Sequence, residues 1–284
     1  MRSALSFGAI LLIMAVAWDA AAITRQTFRT GDGVRLSYLE SGREHAGRRP
    51  TIVFIPGWAM PATVWRRQLE ALGPNHHTVA LDPRGQGESD VPAAGYTAQR
   101  RATDLKEFLE FFSESLLVGW SLGAIESLQY VYMYGSSRLA GLILVDSSVG
   151  EPPAPAPSGA FKQELRESRE RTLHKFVQAL FATPPPEHEA SELVRAAQRM
   201  ALEDSLALLD YPFERAHWRK IARGFDKPLL YVVTPQFEAQ AARLKKNRAA
   251  TQVEIFRHAG HALFVDEPER FNALVEKFAR RVAR

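Results

Sequence analysis

Apolar residues in this chain fall into short runs whose spacing changes from place to place. Val34-Arg35-Leu36-Ser37-Tyr38 alternates apolar and polar positions, the period of a strand with one face in water. Thr51-Ile52-Val53-Phe54-Ile55 is instead nearly all apolar and stops at Pro56-Gly57, as a buried parallel strand does. Four more runs have that character: Thr78 to Leu81, Leu116 to Val118, Leu142 to Val145 and Leu229 to Val233. Val253-Glu254-Ile255-Phe256 closes the series. Between the runs the period lengthens. Leu105, Phe108, Leu109 and Phe112 share one helix face, as do Phe271, Leu274, Val275, Phe278 and Val282. Strands alternating with helices predict an α/β fold, a mostly parallel sheet covered on both faces. Sites in such sheets lie beyond the carboxyl ends of the strands.

The alternation breaks between Val145 and Leu229. Glu151-Pro152-Pro153-Ala154-Pro155-Ala156-Pro157 reads as a stiff connector. A helical stripe follows through Phe161, Leu165, Leu173, Phe176, Val177 and Leu180, and Pro184-Pro185-Pro186 stops it. A second helical region runs from about Ala190 to Leu209. Residues 151–222 are therefore expected to be a helical lid inserted between core segments 23–150 and 223–284; a hairpin packed on the side of the core is the alternative. At the other end, Arg2, the apolar stretch from Ala4 to Ala17 and Ala20-Ala21-Ala22 form a signal-peptide pattern over residues 1–22. Export to the periplasm or the medium is expected, with an uncleaved membrane anchor as the alternative.

Composition narrows the chemistry. The 284 residues carry 46% hydrophobic and 24% charged side chains, ordinary values for a globular protein. The formal net charge is +4, and the basic residues are interleaved with acids, so no nucleic-acid footprint is expected. The chain has no cysteine, which excludes disulfides, thiolate metal sites and a cysteine nucleophile. No zinc-ligand spacing is present, and no obligate protein partner is evident.

Gly119-Trp120-Ser121-Leu122-Gly123 lies between an apolar run and a helix-forming stretch. A Gly-x-Ser-x-Gly in that setting is a nucleophile elbow, a turn so tight that side chains at its flanks would collide. Gly119 and Gly123 are thus structural and Ser121 is the candidate nucleophile; a buried structural serine is the bland alternative. His261 follows the last predicted strand, where a loop could bring it over the sheet as the base. Gly260 before it permits a turn toward the site, and His258 is the competing histidine.

In these motifs the chain resembles serine hydrolases of the α/β-hydrolase fold, of the esterase, lipase and perhydrolase kind. Phe54-Ile55-Pro56-Gly57-Trp58 resembles the family's oxyanion loop, with proline in the place of histidine. Asp82-Pro83-Arg84-Gly85-Gln86-Gly87-Glu88-Ser89 resembles its Asp-x-Arg-Gly-x-Gly-x-Ser loop, read as scaffold. The elbow and Gly260-His261 complete the likeness, which covers Val34 to the C-terminus. It implies a sheet of about eight strands and an oxyanion hole made by the backbone N–H groups of Trp58 and Leu122, with Gly57 allowing close approach of the backbone.

The acid departs from the family's usual pattern. The loop after Leu229–Val233 reads Thr234-Pro235-Gln236-Phe237-Glu238 and holds no aspartate. Asp146, at the end of the strand after the elbow helix, is one candidate, Glu238 is another, and the absence of a working acid is a third. The resemblance implies hydrolysis of a small carboxylic ester through an acyl-enzyme, with no metal or organic cofactor. Phe161, Phe176, Phe181, Phe213 and Trp218 are candidates for an apolar acyl pocket. A perhydrolase or lactonase would use the same residues, and a ligand-binding protein that has lost turnover is the alternative outside catalysis.

Overall fold

A computed structural model describes residues 22–155 and 159–283. The proposed signal peptide lies outside them except for Ala22. Among the described residues no helix is long and apolar enough to cross a membrane.

Eight strands form one sheet: β1 (Thr24–Arg29), β2 (Arg35–Ser41), β3 (Thr51–Ile55), β4 (Thr78–Asp82), β5 (Ser115–Trp120), β6 (Leu139–Val145), β7 (Leu229–Val233) and β8 (Gln252–Ile255). Their order is β1-β2-β4-β3-β5-β6-β7-β8. β2 pairs antiparallel with β1 and β4; every other pairing is parallel. The expected mostly parallel α/β sheet is therefore present. One strand escapes the hydrophobic pattern. β1 reads Thr-Arg-Gln-Thr-Phe-Arg and is largely exposed, a polar edge strand of the kind that discourages sheet-to-sheet association. β2 is more buried than its alternation suggests.

The helices are α1 (Arg66–Leu72), α2 (Ala98–Leu109), α3 (Leu122–Tyr134), α4 (Gly159–Glu167), α5 (Arg169–Ala179), α6 (Glu187–Ala197), α7 (Leu202–Ala207), α8 (Arg215–Gly224), α9 (Glu238–Asn247), α10 (Leu263–Asp266) and α11 (Pro268–Val282). Alternating strand side chains divide the core in two. On one face Ile52, Phe54, Val118 and Val232 meet Leu69 of α1 and Phe271 and Val275 of α11. On the other, Val53, Leu117, Leu144 and Tyr231 meet Phe108 of α2, Leu128 of α3 and Leu244 of α9.

Among the described residues the segment between β6 and β7 holds helices α4 to α8 and no strand, and the two faces share it. Leu165, Leu173, Val194 and Leu206 of α4 to α7 join the cluster that contains Trp58. Trp218 and Ile221 of α8 join the opposite cluster, with Phe213 packed against it. The first helical stripe is broken at Ser168 into α4 and α5, and no helix spans the three prolines from Pro184 to Pro186.

Candidate active site

The site is built where β5, β6 and β8 end. β5 stops at Trp120, and α3 starts at Leu122, leaving one residue to reverse the chain. That residue, Ser121, has φ 54° and ψ −117°, a strained conformation for a residue with a Cβ. The flanking glycines make the turn possible. A Cβ on Gly119 would lie 2.4 Å from the Gly123 carbonyl oxygen, and one on Gly123 would lie 2.5 Å from the Ile55 carbonyl oxygen. Both obstacles are backbone, so they cannot step aside.

Sheet register carries Asp146 to the same edge. Trp120 is the partner of Val145, and the Ser121 N–H donates to the Val145 carbonyl at 2.9 Å. The next residue is Asp146, with φ 41° and its own N–H bound to the Val232 carbonyl at 2.8 Å. The Asp146 side chain is fully buried. Its Oδ1 accepts from the Thr234 N–H at 2.7 Å, and its Oδ2 lies 2.7 Å from His261 Nδ1. A carboxylate at Nδ1 selects the tautomer protonated there, which leaves Nε2 as the acceptor for another proton.

His261 is held from several sides. Its carbonyl accepts from the Trp120 indole N–H at 2.9 Å, and the two rings are 5.3 Å apart. The Ala262 N–H donates to the Leu180 carbonyl at 2.7 Å, and the Gly260 N–H to Asp266 Oδ2 at 2.7 Å. Trp120 thus packs on and holds His261, a contact the sequence does not signal because the variable position of the elbow motif carries no chemical signature. His258 is exposed on the loop before His261.

Glu238 lies elsewhere. It opens α9 on the surface and pairs with both ends of the Arg257 guanidinium at 2.7 and 3.0 Å. Hydrogen bonding to Arg257 holds its carboxyl below the ordinary value. Asp146, not Glu238, is thus brought to His261.

Opposite this group runs the loop after β3. A Cβ on Gly57 would stand 3.2 Å from Ser121 Cβ, so that backbone passes directly by the serine. Among the described residues, neither the Trp58 N–H nor the Leu122 N–H has an acceptor within the protein. The Leu122 N–H is the first of a helix, where the peptide dipoles favour negative charge. The Trp58 side chain is buried: its indole N–H donates to the Ser205 carbonyl at 2.6 Å, and its ring meets Phe161 and Phe176 edge-on at 5.6 and 5.3 Å. Phe213 stacks instead on His217, and Trp218 meets both rings edge-on, on the opposite face of the sheet, so neither joins this cluster.

The Asp82 to Ser89 loop ties the scaffold together. Asp82 accepts from the Ala62 N–H at 2.6 Å, and Arg84 bridges Asp104 and Asp32. Gln86, within the loop expected to be scaffold, is fully buried and donates to the carbonyls of Gly57 at 3.0 Å and Met60 at 2.7 Å.

The chain as a whole is similar to known proteins. A family model described as "Alpha/beta hydrolase family" matches residues 52–274. The chain is 26% identical to a pimeloyl-[acyl-carrier protein] methyl ester esterase of Vibrio vulnificus (strain YJ016) over 266 residues, covering 82% of this chain and 95% of that one. Among solved structures it resembles an esterase from Exiguobacterium antarcticum, with a TM-score of 0.77 and 21% identity over 89% of this chain and 98% of that one. A bromoperoxidase from Bacillus anthracis gives a TM-score of 0.78 at 20% identity, over 90% of this chain and all of that one.

Proposed function

The chain belongs to the alpha/beta hydrolase family, and from that premise we propose that it is a serine esterase, cleaving small carboxylic esters through an acyl-enzyme on Ser121. The observation that carries this reading is the 2.7 Å contact between the buried Asp146 carboxylate and His261 Nδ1, beside the strained Ser121 turn. His261 Nε2 takes the Ser121 proton as the hydroxyl oxygen attacks the ester carbonyl. The Trp58 and Leu122 amides receive the developing oxyanion, and Asp146 stabilises the imidazolium. The proton then passes to the leaving alkoxide. Water, deprotonated by His261, attacks the acyl-enzyme and releases the acid, restoring Ser121. Helices α4 to α7 form the lid in this reading, and Trp58, Phe161 and Phe176 wall an apolar acyl pocket. Export through residues 1–22 belongs to the same reading and predicts a mature chain starting at Ile23.

The test is reaction of the mature protein with a fluorophosphonate, read by intact and peptide mass. One adduct on Ser121, abolished by Ser121→Ala and greatly slowed by His261→Ala, is expected. A protein that stays unlabelled while a control esterase reacts fully would sink the reading. The same intact mass gives the N-terminus.

A further inference from the structure

Gln86 sits behind the loop to which the proposed function assigns one oxyanion donor. Its Nε2 donates to the Gly57 carbonyl at 3.0 Å and to the Met60 carbonyl at 2.7 Å. The Gly57 carbonyl and the Trp58 N–H belong to one peptide group. That group is planar and trans, so the N–H points opposite to the C=O. Whatever holds the carbonyl therefore aims the N–H. The hold matters here because a glycine on one side of a peptide leaves it free to rotate as a unit. A turn bond from the Met60 N–H, 3.2 Å long, also reaches the Gly57 carbonyl. Gln86 adds a second donor from outside the turn.

The orientation of Gln86 is itself determined. Its Oε1 accepts from Arg101 at 3.0 Å, while its Nε2 faces two carbonyls. Reversing the amide would set oxygen against two oxygens and NH₂ against a guanidinium. Arg101 is fixed in turn by Glu126 of the elbow helix, at 2.8 and 3.1 Å, and donates to the Arg84 carbonyl at 2.9 Å. Tyr211, beyond α7, donates to Glu126 at 2.9 Å. Gln86, Arg101 and Glu126 are all buried. A guanidinium at one end of the Gln86 amide polarises it and strengthens donation from the other.

We propose that Gln86, held by the Arg101–Glu126 pair, is a positioning residue that aims the Trp58 amide at the oxyanion. It touches no reacting atom and acts through the Gly57–Trp58 peptide. This rests on the esterase reading.

The experiment compares Gln86→Met, which has similar volume and no donor, with Gln86→Glu, which keeps a partner for Arg101 but offers no N–H to Gly57. Both are assayed where circular dichroism matches the wild type, with active sites counted by exhaustive fluorophosphonate labelling. Removing one oxyanion donor costs about 10²–10³ in kcat. Misaiming it is expected to lower kcat for an acetate ester about 10- to 100-fold, with KM within about threefold. The inhibition constant of a trifluoromethyl ketone, whose Ser121 adduct carries the oxyanion, should rise by a similar factor. A merely structural Gln86 would lower the melting temperature while leaving kcat per labelled serine within about twofold, and that result in a folded variant overturns the proposal. A wild type that neither hydrolyses esters nor labels at Ser121 defeats the esterase reading and this proposal together. Normal wild-type turnover with unchanged variants defeats this proposal alone.

Discussion

Asp146 has no exposed side-chain surface, and each carboxylate oxygen has a partner, the Thr234 N–H on one side and His261 on the other. Asn at this position keeps the shape but offers an N–H where His261 needs an acceptor. Asp146→Asn is expected to lower ester kcat by about 10²- to 10⁴-fold. Glu238→Gln, which only loosens a surface pair with Arg257, should leave kcat within about twofold; steady-state hydrolysis of a p-nitrophenyl ester checks both. Glycine at the elbow carries a stability prediction. Gly123→Ala sets a methyl 2.5 Å from the Ile55 carbonyl oxygen and should cost about 3 kcal/mol, read as the shift in a urea midpoint. At this scale the sequence is informative about residues whose neighbours in the chain define the geometry. Ser121 and its glycines are legible because a turn is local. Asp146 is one open choice among others, because its partner His261 lies 115 positions away.

At the scale of elements, the buried strands are read readily because both their faces meet helices. β1 is not, since an edge strand needs only backbone pairing and solvent-compatible side chains. Tyr231 of β7 shows what burial within a strand does. Its hydroxyl donates to the Ser147 carbonyl at 2.5 Å, and burial, followed by the charge of Asp146, pushes the phenol well above its ordinary value of 10.0. A group with a raised folded value contributes fully below its unfolded value, and that contribution is lost as pH rises through the folded one. Stability should therefore begin to fall above about pH 10, by about 1.4 kcal/mol per pH unit for this residue. Melting temperatures of the wild type and Tyr231→Phe across pH 9 to about 11.5 test this; the variant should fall less steeply. In the insert, Phe176 meets both Trp58 and Phe161. If these rings wall the acyl pocket, Phe176→Ala should lower kcat/KM for a hexanoate ester about tenfold and leave an acetate ester within about twofold.

Across the whole molecule, the two sheet faces are joined through polar residues as well as apolar ones. Arg101 of α2 and Glu126 of α3 form a buried pair that meets Gln86 on one side and Tyr211 of the insert on the other. Glu126→Ala strands a buried guanidinium and should cost about 3–5 kcal/mol, measurable by urea unfolding. The hydrophobic period and the turn motifs in the sequence alone were enough to determine the alternation of strands and helices, the parallel core, the interruption between β6 and β7, and the elbow at Ser121. Each of these follows from side-chain direction and backbone sterics within a few residues. That His261 meets Asp146 and not Glu238, that α8 joins the face opposite α4 to α7, and that Gln86 lies behind the Trp58 peptide are set by long-range packing. Those choices depend on which strand ends lie side by side and which loops cross over them. Strand order and register set that arrangement through contacts between residues far apart in the chain, and local spacing carries no record of it.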